Sequence, residues 1–181
     1  MAEFMTALDS TKFLLRLPRM DADTFLPEEL LARGVLVVDD SPVQRMAMIE
    51  HLNALGITRI AEAGEGTEAL ERLAQLLPQP AVILVDLEMP GMDGVELIQR
   101  LAELPLPPAI VLASGREDMV ISAVELMIEG LGLPLLGALQ KPVPLERLQA
   151  ALGGFDPNRV RVQRSGASGS RVTAEALVDA L

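Results

Sequence analysis

Residues 81–94 read Ala-Val-Ile-Leu-Val-Asp-Leu-Glu-Met-Pro-Gly-Met-Asp-Gly. An apolar run without polar alternation is a strand buried on both faces, which calls for helices on either side of a parallel sheet. The run stops at Asp86, and Met89-Pro90-Gly91-Met92 turns the chain toward a helix that Asp93 can cap. A carboxylate at the end of a buried strand thus stands where a doubly wound sheet opens its functional crevice.

Outward from this stretch the pattern repeats. Short apolar runs recur at Val35–Val38, Arg59–Ala63, Ala109–Ala113 and Leu135–Leu139, separated by amphipathic segments. Arg59–Ala63 alternates, as an edge strand does. Helices are expected over Val43–Leu55 behind Ser41-Pro42, from Gly66 to about Leu77, from Asp93 to Leu104, over Glu117–Leu131 and over Pro144–Leu152. The fold class is α/β, a doubly wound five-stranded parallel sheet with helices on both faces. The expected division is an N-terminal extension over 1–33, the sheet domain over 34–154, and a linker entering a helix over 155–181. In the extension, Asp23–Leu31 reads as a short cap-and-helix piece that packs on the domain.

The 181 residues suit one domain plus ends. With no Cys there is no disulfide framework, thiolate metal site or cysteine nucleophile, which fits a reducing cytosol. Apolar residues make up 50% but aromatics only 2%, as Phe4, Phe13, Phe25 and Phe155, so base stacking has no platform. A net charge of −11 likewise opposes a phosphate backbone, and no nucleic-acid partner is expected. No apolar run approaches the ~20 residues of a membrane span, and the N-terminus lacks a signal pattern. The expected location is cytoplasmic, without membrane partners.

The strand ends carry the chemistry. The first ends in Asp39-Asp40, the third in Asp86, the fourth in Ser114, and the fifth runs into Lys141. Taken singly, each is an ordinary turn, cap or loop residue. Their coincidence at one edge is what points to a site. Three carboxylates together repel, and a hard cation with oxygen ligands, Mg²⁺, relieves that. A carboxylate beside a metal and a cation can take a phosphoryl group. In this reading Asp86 is the acceptor, Asp39 and Asp40 hold the metal with the backbone carbonyl of Glu88, and Lys141 and Ser114 contact phosphoryl oxygens. The single His, His51, sits mid-helix and is read as a surface residue far from this edge, so the donor belongs to another protein.

Val37-Val38-Asp39-Asp40-Ser41, Leu84–Gly94, Ala113-Ser114-Gly115 and Lys141-Pro142 together resemble the receiver domain of bacterial two-component response regulators. The resemblance covers about residues 34–153. It implies a flavodoxin-like sheet of order 2-1-3-4-5 and phosphorylation of Asp86 by a sensor histidine kinase or phosphotransfer protein. It also implies slow self-dephosphorylation and a switch in an output or oligomeric state, including a homodimer. Glu88 and Arg116 occupy positions that influence how water reaches the phosphoryl group. Ala138 stands where family members carry Tyr or Phe as a moving ring. The stretch Met127–Pro142 resembles receivers attached to EAL-type cyclic-di-GMP phosphodiesterases, and Val172–Leu181 resembles the helix opening such an output domain. Glu175-Ala176-Leu177 lacks the following Arg of that enzyme's signature, so no phosphodiesterase activity is expected of these residues. The chain is expected not to be an enzyme beyond its own phosphoryl chemistry.

The alternative on the same fold is a phosphorylation-independent docking or dimerisation module. A haloacid-dehalogenase-like phosphatase would space its two aspartates apart, whereas Asp39 and Asp40 are adjacent. A nucleotide-binding loop would not place two carboxylates against phosphate.

Overall fold

The apolar runs form one sheet of five parallel strands in the order β2-β1-β3-β4-β5. The computed structural model describes residues 26–116 and 118–158. Its elements are α1 Glu28–Arg33, β1 Val35–Val38, α2 Pro42–Ala54, β2 Ile60–Ala63, α3 Gly66–Gln75, β3 Val82–Val85, α4 Gly94–Leu101, β4 Ala109–Ser114, α5 Asp118–Gly130, β5 Leu135–Gln140 and α6 Leu145–Gly153. Every residue of β1, β3 and β4 is buried. The alternating run at β2 lies at one edge, as its half-exposed pattern requires.

Period-two geometry sends neighbours along each strand to opposite faces. Val35 and Val37 join Met48, Leu52, Leu148 and Leu152 in one core cluster, while Leu36 and Val38 join Leu73, Leu97, Leu101 and Ile128 in the other. Ser41 and Asp93 cap α2 and α4 as expected, their side chains accepting from Gln44 N and Glu96 N.

Two helices end more than one residue short of expectation. The second helix ends at Gln75 rather than Leu77, and Leu77 is 88% exposed, with no core to hold another turn. The third ends at Leu101 rather than Leu104, because Glu103 and Leu104 donate to carbonyls three residues back and tighten the chain ahead of Pro105. The fourth is described from Asp118, the expected first residue Glu117 lying outside the described residues. The core also reaches past residues 34–154: Leu26 and Leu30, flanking the start of α1, and Phe155 after α6 all belong to the first cluster. The expectations for residues 1–25 and 159–181, including the helix at Val172–Leu181, lie outside the described residues.

Strand register positions the site. Val38 lies opposite Val85, and Val85 opposite Leu112. The residues after Val38 and Val85 therefore emerge side by side, and Asp86 N donates to Val38 O at 2.9 Å. Ser114 pairs with Gln140, and Lys141 N donates to Ser114 O at 2.9 Å. The order reverses between β1 and β3, so these ends face the crevice at the switch point.

Candidate functional site

Asp39, Asp86 and Ser114 are the buried polar residues among those described, and all three lie at this edge. Buried carboxylates need partners. The Lys141 ammonium supplies one to each, donating to Asp39 Oδ2 at 2.6 Å and lying 2.8 Å from Asp86 Oδ2. The opposite oxygens are held by backbone: Asp39 Oδ1 accepts from Ser41 N at 2.9 Å, and Asp86 Oδ1 from Glu88 N at 3.3 Å. Lys141 can occupy this place because β5 delivers it beside β4, next to the end of β3.

Asp40 is exposed and completes the acidic set. Carboxylate oxygens of Asp39, Asp40 and Asp86 lie within 4.8 Å of one another. An all-oxygen donor set of this charge, open to water on the Asp40 side, fits a hard divalent cation that retains waters. The Ser114 side chain is buried, and its Oγ accepts from Arg116 N at 3.1 Å, leaving the hydroxyl proton free to donate. Arg116 and Glu88 meet in an ion pair of 2.7 Å, each about half exposed. Ala138 is half-buried opposite Leu112 and packs against the second core cluster. The strand-end residues Asp39, Asp40, Asp86, Ser114 and Lys141 thus lie together at this edge, joined by the Lys141 bridge and flanked by the Glu88–Arg116 pair.

One expectation is corrected. His51 is not a remote surface residue: it is half-buried, and with Gln44, Met48, Lys141 and Pro142 it lines a cavity of about 410 Å³. Its Nδ1 is buried without a hydrogen-bond partner among the described residues. Gln44, Met48 and His51 share one helix face at three- and four-residue spacing, and that face turns toward the β5–α6 connection. Another residue joins the site without a motif to mark it. Arg45 reaches back from α2 to donate to the backbone carbonyl of Asp39 at 2.6 Å. Its only sign in the sequence is a place in the first turn of the helix after the acidic pair.

Residues 35–153 match the response regulator receiver domain family, and the chain belongs to it. It is 33% identical over 131 residues to the cyclic di-GMP phosphodiesterase RocR of Pseudomonas aeruginosa, a match covering 72% of this chain and 33% of that protein. It is 38% identical over 76 residues to the transcriptional regulatory protein PdtaR of Mycobacterium tuberculosis, covering 42% of this chain and 34% of that protein. The matched regions thus span about a third of each of these relatives. Among solved structures, a response regulator receiver protein from Pseudomonas putida superposes with a TM-score of 0.58 at 27% identity, over 67% of this chain and 95% of that one. Among the described residues no helix is long and apolar enough to cross a membrane.

Proposed function

We propose that Asp86 accepts a phosphoryl group from the phosphohistidine of a kinase or phosphotransfer protein. The observation that carries this reading is the Lys141 ammonium bridging Asp86 and Asp39 beside Asp40, where three strands end. A carboxylate oxygen of Asp86 attacks phosphorus, an O–P bond forms, the P–N bond breaks, and the donor imidazole keeps the electron pair. Asp39 and Asp40 would hold Mg²⁺ with the backbone carbonyl of Glu88, where it would supply positive charge against the phosphoryl oxygens. Lys141 moves from pairing carboxylates to pairing a phosphoryl oxygen. Ser114 donates its free hydroxyl proton to another.

The half-exposed Glu88–Arg116 pair joins the residues two beyond Asp86 and Ser114, and in this reading it governs how water reaches the acyl phosphate. With Ala138 in place of a ring, motion at Ser114 passes through the backbone and α5 to an aliphatic surface. The similarity to RocR supports a role in cyclic-di-GMP signalling, with the output in a separate domain; a cytoplasmic location is part of the same proposal.

Incubation with Mg²⁺ and acetyl phosphate, read by intact mass, tests the reading. A species heavier by about 80 Da, one phosphoryl group, is expected in the parent and not in Asp86→Asn. No adduct with acetyl phosphate or with an authentic histidine kinase would sink it.

A further inference from the structure

We infer that Arg45 is a positioning residue for the acidic pair, acting through the peptide that joins Asp39 to Asp40. This rests on the metal-binding reading of Asp39, Asp40 and Asp86 above. Asp40 is exposed and has no hydrogen bond or ion pair of its own among the described residues, so its backbone, which sets the direction of the Cα–Cβ bond, is what limits the positions its carboxylate can reach. That backbone begins at the Asp39 carbonyl. Asp39 N still donates to Ala63 O at 3.2 Å, but its carbonyl points out of the strand ladder, where Arg45 Nη1 donates to it at 2.6 Å.

The guanidinium is itself held. Its side chain is 19% exposed, and Nε lies 3.4 Å from Glu62 Oε2 on β2. From the other end, Arg45 N donates to Ser41 O at 3.0 Å, and Ser41 N donates to Asp39 Oδ1 at 2.9 Å. Residues 39–45 therefore form a closed ring: the Asp39 carbonyl, the Arg45 side chain, the first turn of α2, Ser41 and the Asp39 carboxylate. Asp40 lies inside it. A rigid fork with several donors, charge-assisted against a carbonyl, is suited to fixing a peptide plane. Groups that orient metal ligands in this way typically change metal affinity by about 10–100-fold when removed.

A competing physical effect has the opposite sign. A guanidinium close to a cation site repels the cation, so if Arg45 acted through charge alone its removal would tighten Mg²⁺ binding. If it acts through geometry, removal weakens binding.

Calorimetric titration of the full chain with Mg²⁺ alone decides between them. Arg45→Met is expected to bind Mg²⁺ about tenfold more weakly. Arg45→Lys, which keeps a donor and the charge, should stay within about threefold of the parent. In acetyl phosphate reactions the half-saturating Mg²⁺ concentration should rise by the same factor, while the rate at saturating Mg²⁺ stays within about twofold, since Arg45 touches no reacting atom. Should Arg45→Met fail to fold in circular dichroism, Arg45→Gln, polar and compatible with the helix, takes its place. Unchanged or tighter Mg²⁺ binding, with only a lower melting temperature in chelator, would overturn the inference. Absence of Mg²⁺ binding by the parent chain would remove the metal site itself, and this inference with it.

Discussion

At the scale of single residues, Lys141 balances the charge of the site. It holds two carboxylates that are each more than nine-tenths buried while remaining only 13% exposed itself. Removing one partner of a buried charged set leaves the others uncompensated, so Lys141→Met is expected to lose about 3 kcal/mol in urea unfolding without Mg²⁺. Part of that loss should return on adding Mg²⁺. Arg116→Ala offers a contrast. Its pair with Glu88 is half exposed, so stability should fall by less than about 1 kcal/mol. The half-life of the Asp86 phosphoryl group, followed by intact mass after removing the donor, should change instead. The acidic residues and Lys141 were legible in the sequence because each follows an apolar run with an unmistakable end. Arg45 and His51 were not, since a polar residue within a helix does not declare which face it occupies.

At the scale of elements, α4 is set against the site by a glycine. A Cβ on Gly94 would meet the Asp86 carbonyl oxygen and lie 2.8 Å from Leu87 Cα, both backbone, so the first turn of α4 rests directly on the exit of β3. Gly94→Ala is expected to cost about 2 kcal/mol and to slow phosphorylation by displacing Asp86. Gly66→Ala meets the base of the Met92 side chain, Cγ 2.6 Å and Cβ 2.9 Å away; the Cβ does not move with side-chain rotation, so the turn itself must shift and a loss of about 1–3 kcal/mol is expected, without displacement of Asp86. Thermal melts of the two variants compare them directly. The start of α3 carries a pH-dependent device. Glu68 lies in the first turn, its carboxylate accepts from Gly64 N at 2.8 Å, and that bond, helped by Arg72, holds its pKa below the usual 4.5. A lowered carboxyl pKa contributes stability above the ordinary value and loses it as pH falls through the lowered one. Glu68→Gln should therefore cost at most about 0.5 kcal/mol at neutral pH, this group being exposed, with the difference from the parent vanishing in acid. Period and composition located the elements, but the end of α3 depended on where the core stopped and that of α4 on the tightened turn ahead of Pro105.

At the scale of the whole molecule, a chain of net charge −11 gathers three carboxylates at one sheet edge. A cation that binds only the folded state stabilises it by mass action, so Mg²⁺ at about a hundred times its Kd should add about 2.7 kcal/mol. Asp40→Asn should remove most of that gain, and chelator should reverse it in the parent; melting curves at fixed protein concentration provide the check. The sequence by itself determined the sheet class, because runs such as Val82–Val85 cannot be solvated on either face. It also determined which residues end those strands, because chain order and alternation require nothing long-range. Only the tertiary structure decided that Lys141 bridges Asp39 and Asp86, that Arg45 donates to the carbonyl between Asp39 and Asp40, and that His51 shares a cavity with Lys141. The physical reason is common to all three: each contact joins segments whose distance and facing are set by strand register and helix rotation, quantities that packing fixes and local sequence does not.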